Sequence, residues 1–332
     1  MTEYSSSKHS LYFLGLVIVL GIIKSKSGIN FTIFLYQNES LINIICLLLI
    51  LSVGISHGSL DHLKGKKLLN IYKVKNISVF YISYTFISLF IIFFWLLFPA
   101  LTLILFLIIA SYHFGKEDSV KYETGAFKGA LKEFFKPNYN FLSFTLKGSM
   151  IIIFPLSFHF KETVEIFDML WVNNEYFKNA LSYINKNDFI GIMILLIPVI
   201  ANYFMVRNVD DFAFMYMELI SVLILNIIFT PLIAFTIYFC FLHSIRHSAS
   251  LIHKINSKNF SEGLKEFLKK ATPLTLVTAI LFILSIYILT NYFVLDEAIL
   301  KVIFIGLASL TFPHILLEYL LEKNEKNEKN IN

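Results

Sequence analysis

Five histidines of this chain sit where lipid-facing residues are expected, and their company suggests metal chemistry. The stretch GISHGSLDH, Gly54 to His62, closes a long apolar run with His57, Asp61 and His62. FLHSIRHSAS carries His243 and His247 four residues apart; on a helix both project from one face with Cβ atoms roughly 5 to 6 Å apart. Two neutral imidazoles so placed can ligate one ion, and imidazole suits iron, zinc, copper and nickel. An isolated HxxxH pair is as readily explained by hydrogen bonds between helices. His113, in SYHFGKED, and His314, in LTFPHILLEYL, add single histidines to two other apolar runs. Ionisable groups inside membrane spans are expensive, and mark function more often than not.

Other residues fit around these. Asp61 lies four residues after His57, on the same face if the helix continues; a carboxylate there can accept a hydrogen bond from the non-ligating nitrogen of a bound histidine, or simply mark the helix end. Glu218, buried by sequence, reads as a group standing behind the ligands or handling protons, the alternative being a protonated acid paired with a serine or asparagine. His314 follows Pro313, which loosens a helix and frees carbonyls; it is a further ligand, a liner of the substrate path or a packing residue. Arg246, on another face from the pair, reads as snorkelling to the interface. His62 is placed at the membrane mouth, and His9, His159 and His253 belong to a tail or to helix ends.

The elements that must position these groups are membrane helices. The chain has 332 residues, of which 57% are hydrophobic and only 15% charged, against roughly 25% charged in soluble domains. This predicts an all-α, polytopic membrane bundle, a single integral domain over residues 1–321, with a polar, solvated, disordered tail at 322–332. The net charge of +5 is modest and its lysines lie between apolar runs, so it speaks for orientation and lipid contact, with no nucleic acid implied. The first apolar run lacks a small-residue cleavage site and is read as a retained helix. Cys46 and Cys240 fall inside apolar runs as small hydrophobes.

About ten apolar windows are long enough for a bilayer of about 30 Å: 11–23, 41–60, 77–98, 100–115, 139–160, 188–206, 212–229, 231–253, 273–293 and 298–321. Between the fifth and sixth, an interfacial helix is expected over Thr163 to Ile184. Lysine-rich loops at 64–75, 116–136 and 254–270 alternate with short connections that lack lysine, which puts those loops, Arg207 and both termini in the cytoplasm. The second, fourth, eighth and tenth windows then all run inward. Their histidines share one band, roughly 5 to 16 Å inside the cytoplasmic interface at 1.5 Å per residue.

With these motifs in view, the chain resembles the Brp/Blh family of membrane β-carotene cleavage enzymes. GISHGSLDH is similar to that family's G-x-x-H-G-x-x-D element, YHFGKED to its S-x-x-H-F-G-x-x-D element, HSIRH to its H-x-x-x-R-H pair, and FPH to its late proline-histidine. All four occur in order. Where proline often precedes the family's first histidine this chain reads Ile55-Ser56, a departure that bears on helix shape more than on ligand chemistry. The resemblance implies a β-carotene 15,15'-dioxygenase of the cell membrane that uses an Fe(2+) ion and O2 to cut the central double bond of β-carotene into two molecules of all-trans retinal. A retinal-binding rhodopsin is a natural acceptor of that product. The family's iron ligands map to His57, His113, His243 and His247. Two other readings compete: a di-iron desaturase or hydroxylase, for which one HxxxH and no HxxHH is a poor set of histidines, and a proton-coupled transporter, for which no inverted repeat is visible.

Overall fold

The computed structural model describes residues 3–56, 58–119, 139–205 and 209–331. Arg207 and most of the lysine-rich connection 116–136 lie outside them. Among the described residues every regular element is helical. In chain order these are α1 (Glu3–Gln37), α2 (Glu39–Leu49), α3 (Asp61–Ile71), α4 (Ser78–Leu97), α5 (Pro99–Glu117), α6 (Tyr139–Gly148), α7 (Met150–Phe158), α8 (Phe160–Met169), α9 (Glu175–Lys186), α10 (Asp188–Met205), α11 (Val209–Ile228), α12 (Pro231–Ile237), α13 (Ile245–Ile255), α14 (Phe260–Leu289) and α15 (Leu295–Ile331).

Among the described residues, six stretches are long and apolar enough to cross a membrane: Lys8–Gly28, Glu39–Ile71, Ser78–Leu97, Pro99–Glu117, Phe260–Leu289 and Leu295–Glu325. A seventh is possible if α9 and α10, bent by 88° between Glu175–Lys186 and Ile190–Ile200, act together. Shorter apolar helices at Phe144–Phe158 and Ala213–Ile228 occupy two more of the ten windows. The structure therefore supports a membrane bundle with fewer full-length spans than apolar runs, because several runs are cut by bends. The interfacial helix expected over Thr163 to Ile184 is likewise cut. It is two helices, α8 and α9, parted at Trp171, whose φ of 67° is left-handed. The Val172 amide donates to the Phe167 carbonyl at 3.0 Å, the hydrogen bond that closes a helix with a left-handed residue. Lys301 holds the Trp171 ring from above, its ammonium 4.0 Å from the ring centre.

Two π-helical turns interrupt the apolar runs that carry histidine, at Ile50–Gly54 after α2 and at Tyr238–Ser244 between α12 and α13. Such turns insert a residue into the helical ladder and occur often at functional sites. They pack on each other. Ser244 donates its hydroxyl to the Gly54 carbonyl at 2.8 Å, and a Cβ on Gly54 would meet Phe239 Cε1 at 2.6 Å. A second close approach joins α5 to α6, where a Cβ on Gly115 would run into the Phe144 carbonyl and one on Gly148 into the Ser111 carbonyl. Only glycine permits backbones this near, the usual means by which membrane helices pack tightly.

α15 is the central post: it packs on α2, α3, α4, α5 and α14, and over half of its apolar stretch is buried. It continues as helix to Ile331, with Glu322 paired to Lys116 of α5 and Glu325 to Lys67 of α3. α1 lies against α11.

Candidate metal centre

α5, α12–α13 and α15 deliver four histidines to one place. The His113 ring centre is 5.3 Å from that of His243 and 5.2 Å from that of His314, and His247 is 6.5 Å from His314. His113, His243 and His314 are buried. His57 lies outside the described residues.

Each of three histidines is braced from behind by a carboxylate. His243 Nδ1 is 3.2 Å from Asp118 Oδ1, His247 Nδ1 is 3.0 Å from Glu117 Oε2, and His314 Nδ1 is 2.7 Å from Asp61 Oδ2. An ionised carboxylate only accepts, so each imidazole carries a proton on Nδ1, and in its neutral form presents a lone pair at Nε2. This is the carboxylate–histidine arrangement that orients a metal-binding ring and raises its basicity. Glu117 and Asp118 are neighbours at the end of α5, so one helix terminus braces both members of the HxxxH pair. The π turn ending at Ser244 carries His243, while His247 lies in the first turn of α13.

The braces are themselves held. Tyr238 donates to Asp118 Oδ2 at 2.5 Å, and Lys147 of α6 donates to the Asp118 carbonyl at 3.2 Å and to Ser119 Oγ at 2.8 Å. The Tyr84 hydroxyl lies 3.1 Å from Asp61 Oδ2 and 3.2 Å from the Leu310 carbonyl, donating to one at a time. Phe114 stands edge-on to His243 with centres 4.7 Å apart, and Phe239 stacks on its other side at 5.9 Å.

Asp61 makes its imidazole contact with His314, 253 positions away. The chain leaves the helix after Gly54 and enters α3 through a 3₁₀ turn at Gly58–Leu60; the expected pairing of Asp61 with His57 lies outside the described residues. Glu218 stands apart from the rings: Ser10 donates to it at 2.6 Å and Arg246 at 2.5 Å. Arg246 does not snorkel; it is buried between Glu218 and Asp118, whose Oδ1 lies 4.0 Å from it. His62 turns back to the Ser59 carbonyl at 2.9 Å.

One further participant, Glu318, is not among the residues singled out from the sequence. Glu318, four residues after His314 on α15, places its carboxylate 3.6 Å from His314 Nε2 and 3.9 Å from His113 Nδ1. His113, His314 and Glu318 each offer a donor atom within 4.8 Å of the other two. The i, i+4 step from His314 was the available clue. These donors suit a divalent first-row metal: imidazoles with one carboxylate form the three-donor face seen in non-haem iron oxygenases.

The family model for β-carotene 15,15'-dioxygenase matches residues 48–322. Among curated proteins, the β-carotene 15,15'-dioxygenase of uncultured marine bacterium 66A03 is 34% identical over 103 residues, 30% of this chain and 35% of that protein, so the alignment spans about a third of the relative. No solved structure matches. The family match covers most of the chain and contains His57, every braced histidine, all three carboxylate braces and Glu318; the chain therefore belongs to the β-carotene 15,15'-dioxygenase family.

Proposed function

We propose that this protein cleaves β-carotene at its central double bond with O2, releasing two molecules of all-trans retinal. Both oxygen atoms enter the two aldehydes, so no reductant is needed. The observation that carries the reading is the convergence of His113, His243, His247 and His314, three of them carboxylate-braced, in a chain of this family.

In this reading an Fe(2+) ion is held by His57, His113, His243 and His247, with His314 a further candidate. Iron so bound supplies a Lewis-acidic, redox-active point for activating O2 beside an alkene. The chain's own residues do the rest. Asp118 and Glu117 hold the imidazoles in the tautomer whose Nε2 can ligate, and Tyr238 fixes Asp118. Phe114 and Phe239 line His243 with apolar rings that exclude water. Glu218 acts at one remove, by setting Arg246 against Asp118. A carotenoid is about as apolar as the lipid, so it reaches the site sideways from the bilayer, and retinal leaves the same way to a rhodopsin apoprotein. The ten apolar windows are then the membrane-embedded segments of a cell-membrane protein, with the lysine-rich loops and both termini on the cytoplasmic side, and 322–332 as a polar extension.

Expression in β-carotene-accumulating cells tests this directly. Wild type should bleach the orange colour and yield retinal, while His57→Ala and His243→Ala accumulate as protein without bleaching. Orange cells despite supplied iron and correct membrane insertion would overturn the proposal. About one iron per chain distinguishes this centre from a di-iron one, and no iron at all would favour a transporter.

A further inference from the structure

Four carboxylates lie near the histidine cluster, and they do not stand on the same side of it. Asp61, Glu117 and Asp118 are all behind their rings, at Nδ1. Glu318 is in front. With Nδ1 of His314 engaged by Asp61, Nε2 of that ring faces a carboxylate oxygen 3.6 Å away. A neutral imidazole nitrogen and a carboxylate oxygen so placed are both electron-pair donors, and a cation between them satisfies both.

Charge argues the same way. The three bracing carboxylates stand one imidazole away from any ion, and a carboxylate bound to the ion itself compensates a dication at shorter range. Glu318 is the carboxylate with donor atoms grouped together with those of His113 and His314, all within 4.8 Å. With His113 it also borders a cavity of about 20 Å³, walled further by Tyr112, Lys116, Ile315, Tyr319 and Glu322, room for about one water.

We propose that Glu318 is a metal ligand, making the centre a mixed histidine–carboxylate site that includes His113 and His314, and that Lys64 competes with the metal for the same carboxylate. The Lys64 ammonium donates to Glu318 Oε1 at 2.7 Å and lies 3.8 Å from Asp61 Oδ1. It neutralises the carboxylate when no metal is bound and is displaced from it by a dication. The inference rests on the reading above only in taking the cluster to hold a metal; it does not depend on which substrate is cleaved.

Cobalt(II) is the probe, titrated into chelator-stripped full-length protein in detergent and followed by its visible absorption. Glu318→Gln should weaken Co(II) binding by about 10- to 100-fold and shift the visible bands, and Glu318→Asp should recover part of both. Lys64→Met decides between ligand and ion-pair partner. If Glu318 binds metal, removing a positive charge beside the dication tightens Co(II) by about tenfold or more. If Glu318 serves only to pair with Lys64, both substitutions weaken binding alike, and the proposal falls. It falls also if Glu318→Gln binds Co(II) with wild-type affinity and spectrum. Should Glu318→Gln fail to fold, Lys64→Met alone decides, tighter binding supporting the proposal and equal or weaker binding overturning it. Glu318-dependent Co(II) binding in a protein that bleaches no carotene would retain this inference and reject the cleavage reading.

Discussion

The bracing carboxylates give the histidine cluster its direction. Asp118→Asn keeps the size of the side chain but adds a donor, so His243 can take the tautomer with its proton on Nε2 and lose the lone pair the metal needs. Metal affinity should fall by about 10- to 100-fold, read as iron per purified chain under limiting iron, while Tyr238→Phe, which removes one hydrogen bond to Asp118, should cost less. Unchanged iron content in Asp118→Asn would show that the brace has no bearing on binding. The ring-bearing residues were legible in the sequence because polar groups inside apolar runs stand out by composition. Their braces were not, since Glu117 and Asp118 reach histidines 130 and 125 positions away and no periodicity encodes contacts between distant helices. Asp61 shows the same limit: its chemistry could be read, but not its contact with His314, 253 positions away.

At the level of elements, the two π turns explain why apolar runs predicted helix correctly and side-chain faces less well. An inserted residue leaves hydrophobicity intact and rotates everything after it, so the windows at 41–60 and 231–253 look continuous while the chain in them is not. The turns meet at Gly54, which gives that glycine a steric reason to be there. Gly54→Ala would press a methyl into Phe239, and that ring is only 6% exposed, with little room to yield. The expected cost is about 1–3 kcal/mol, seen as a lower thermal midpoint of the purified protein. Ser244→Ala, which deletes the hydrogen bond to the Gly54 carbonyl, should cost about 1 kcal/mol. A Gly54→Ala midpoint equal to wild type would mean that the two turns are not held in register by this contact.

Across the whole molecule, the centre is tied to the periphery by a buried charge network. α1 precedes the family-matched segment 48–322, yet its Ser10 donates to Glu218 of α11, which takes the Arg246 guanidinium of α13; Arg246 in turn lies beside Asp118, the brace of His243. The snorkelling expected for Arg246 assumed that no acid would follow it inside, and Glu218 does. Breaking such a pair strands one charge in a low-dielectric interior, at about 3–5 kcal/mol. Arg246→Met and Glu218→Leu should therefore each lower stability sharply, and the double substitution should lose much less than their sum, because both charges leave together. Monodisperse protein surviving a temperature ramp in detergent is a sufficient readout. Strictly additive losses would instead mean that the two charges act through separate partners, Arg246 through Asp118 and Glu218 through Ser10, and that α1 is coupled to the histidine centre only by packing.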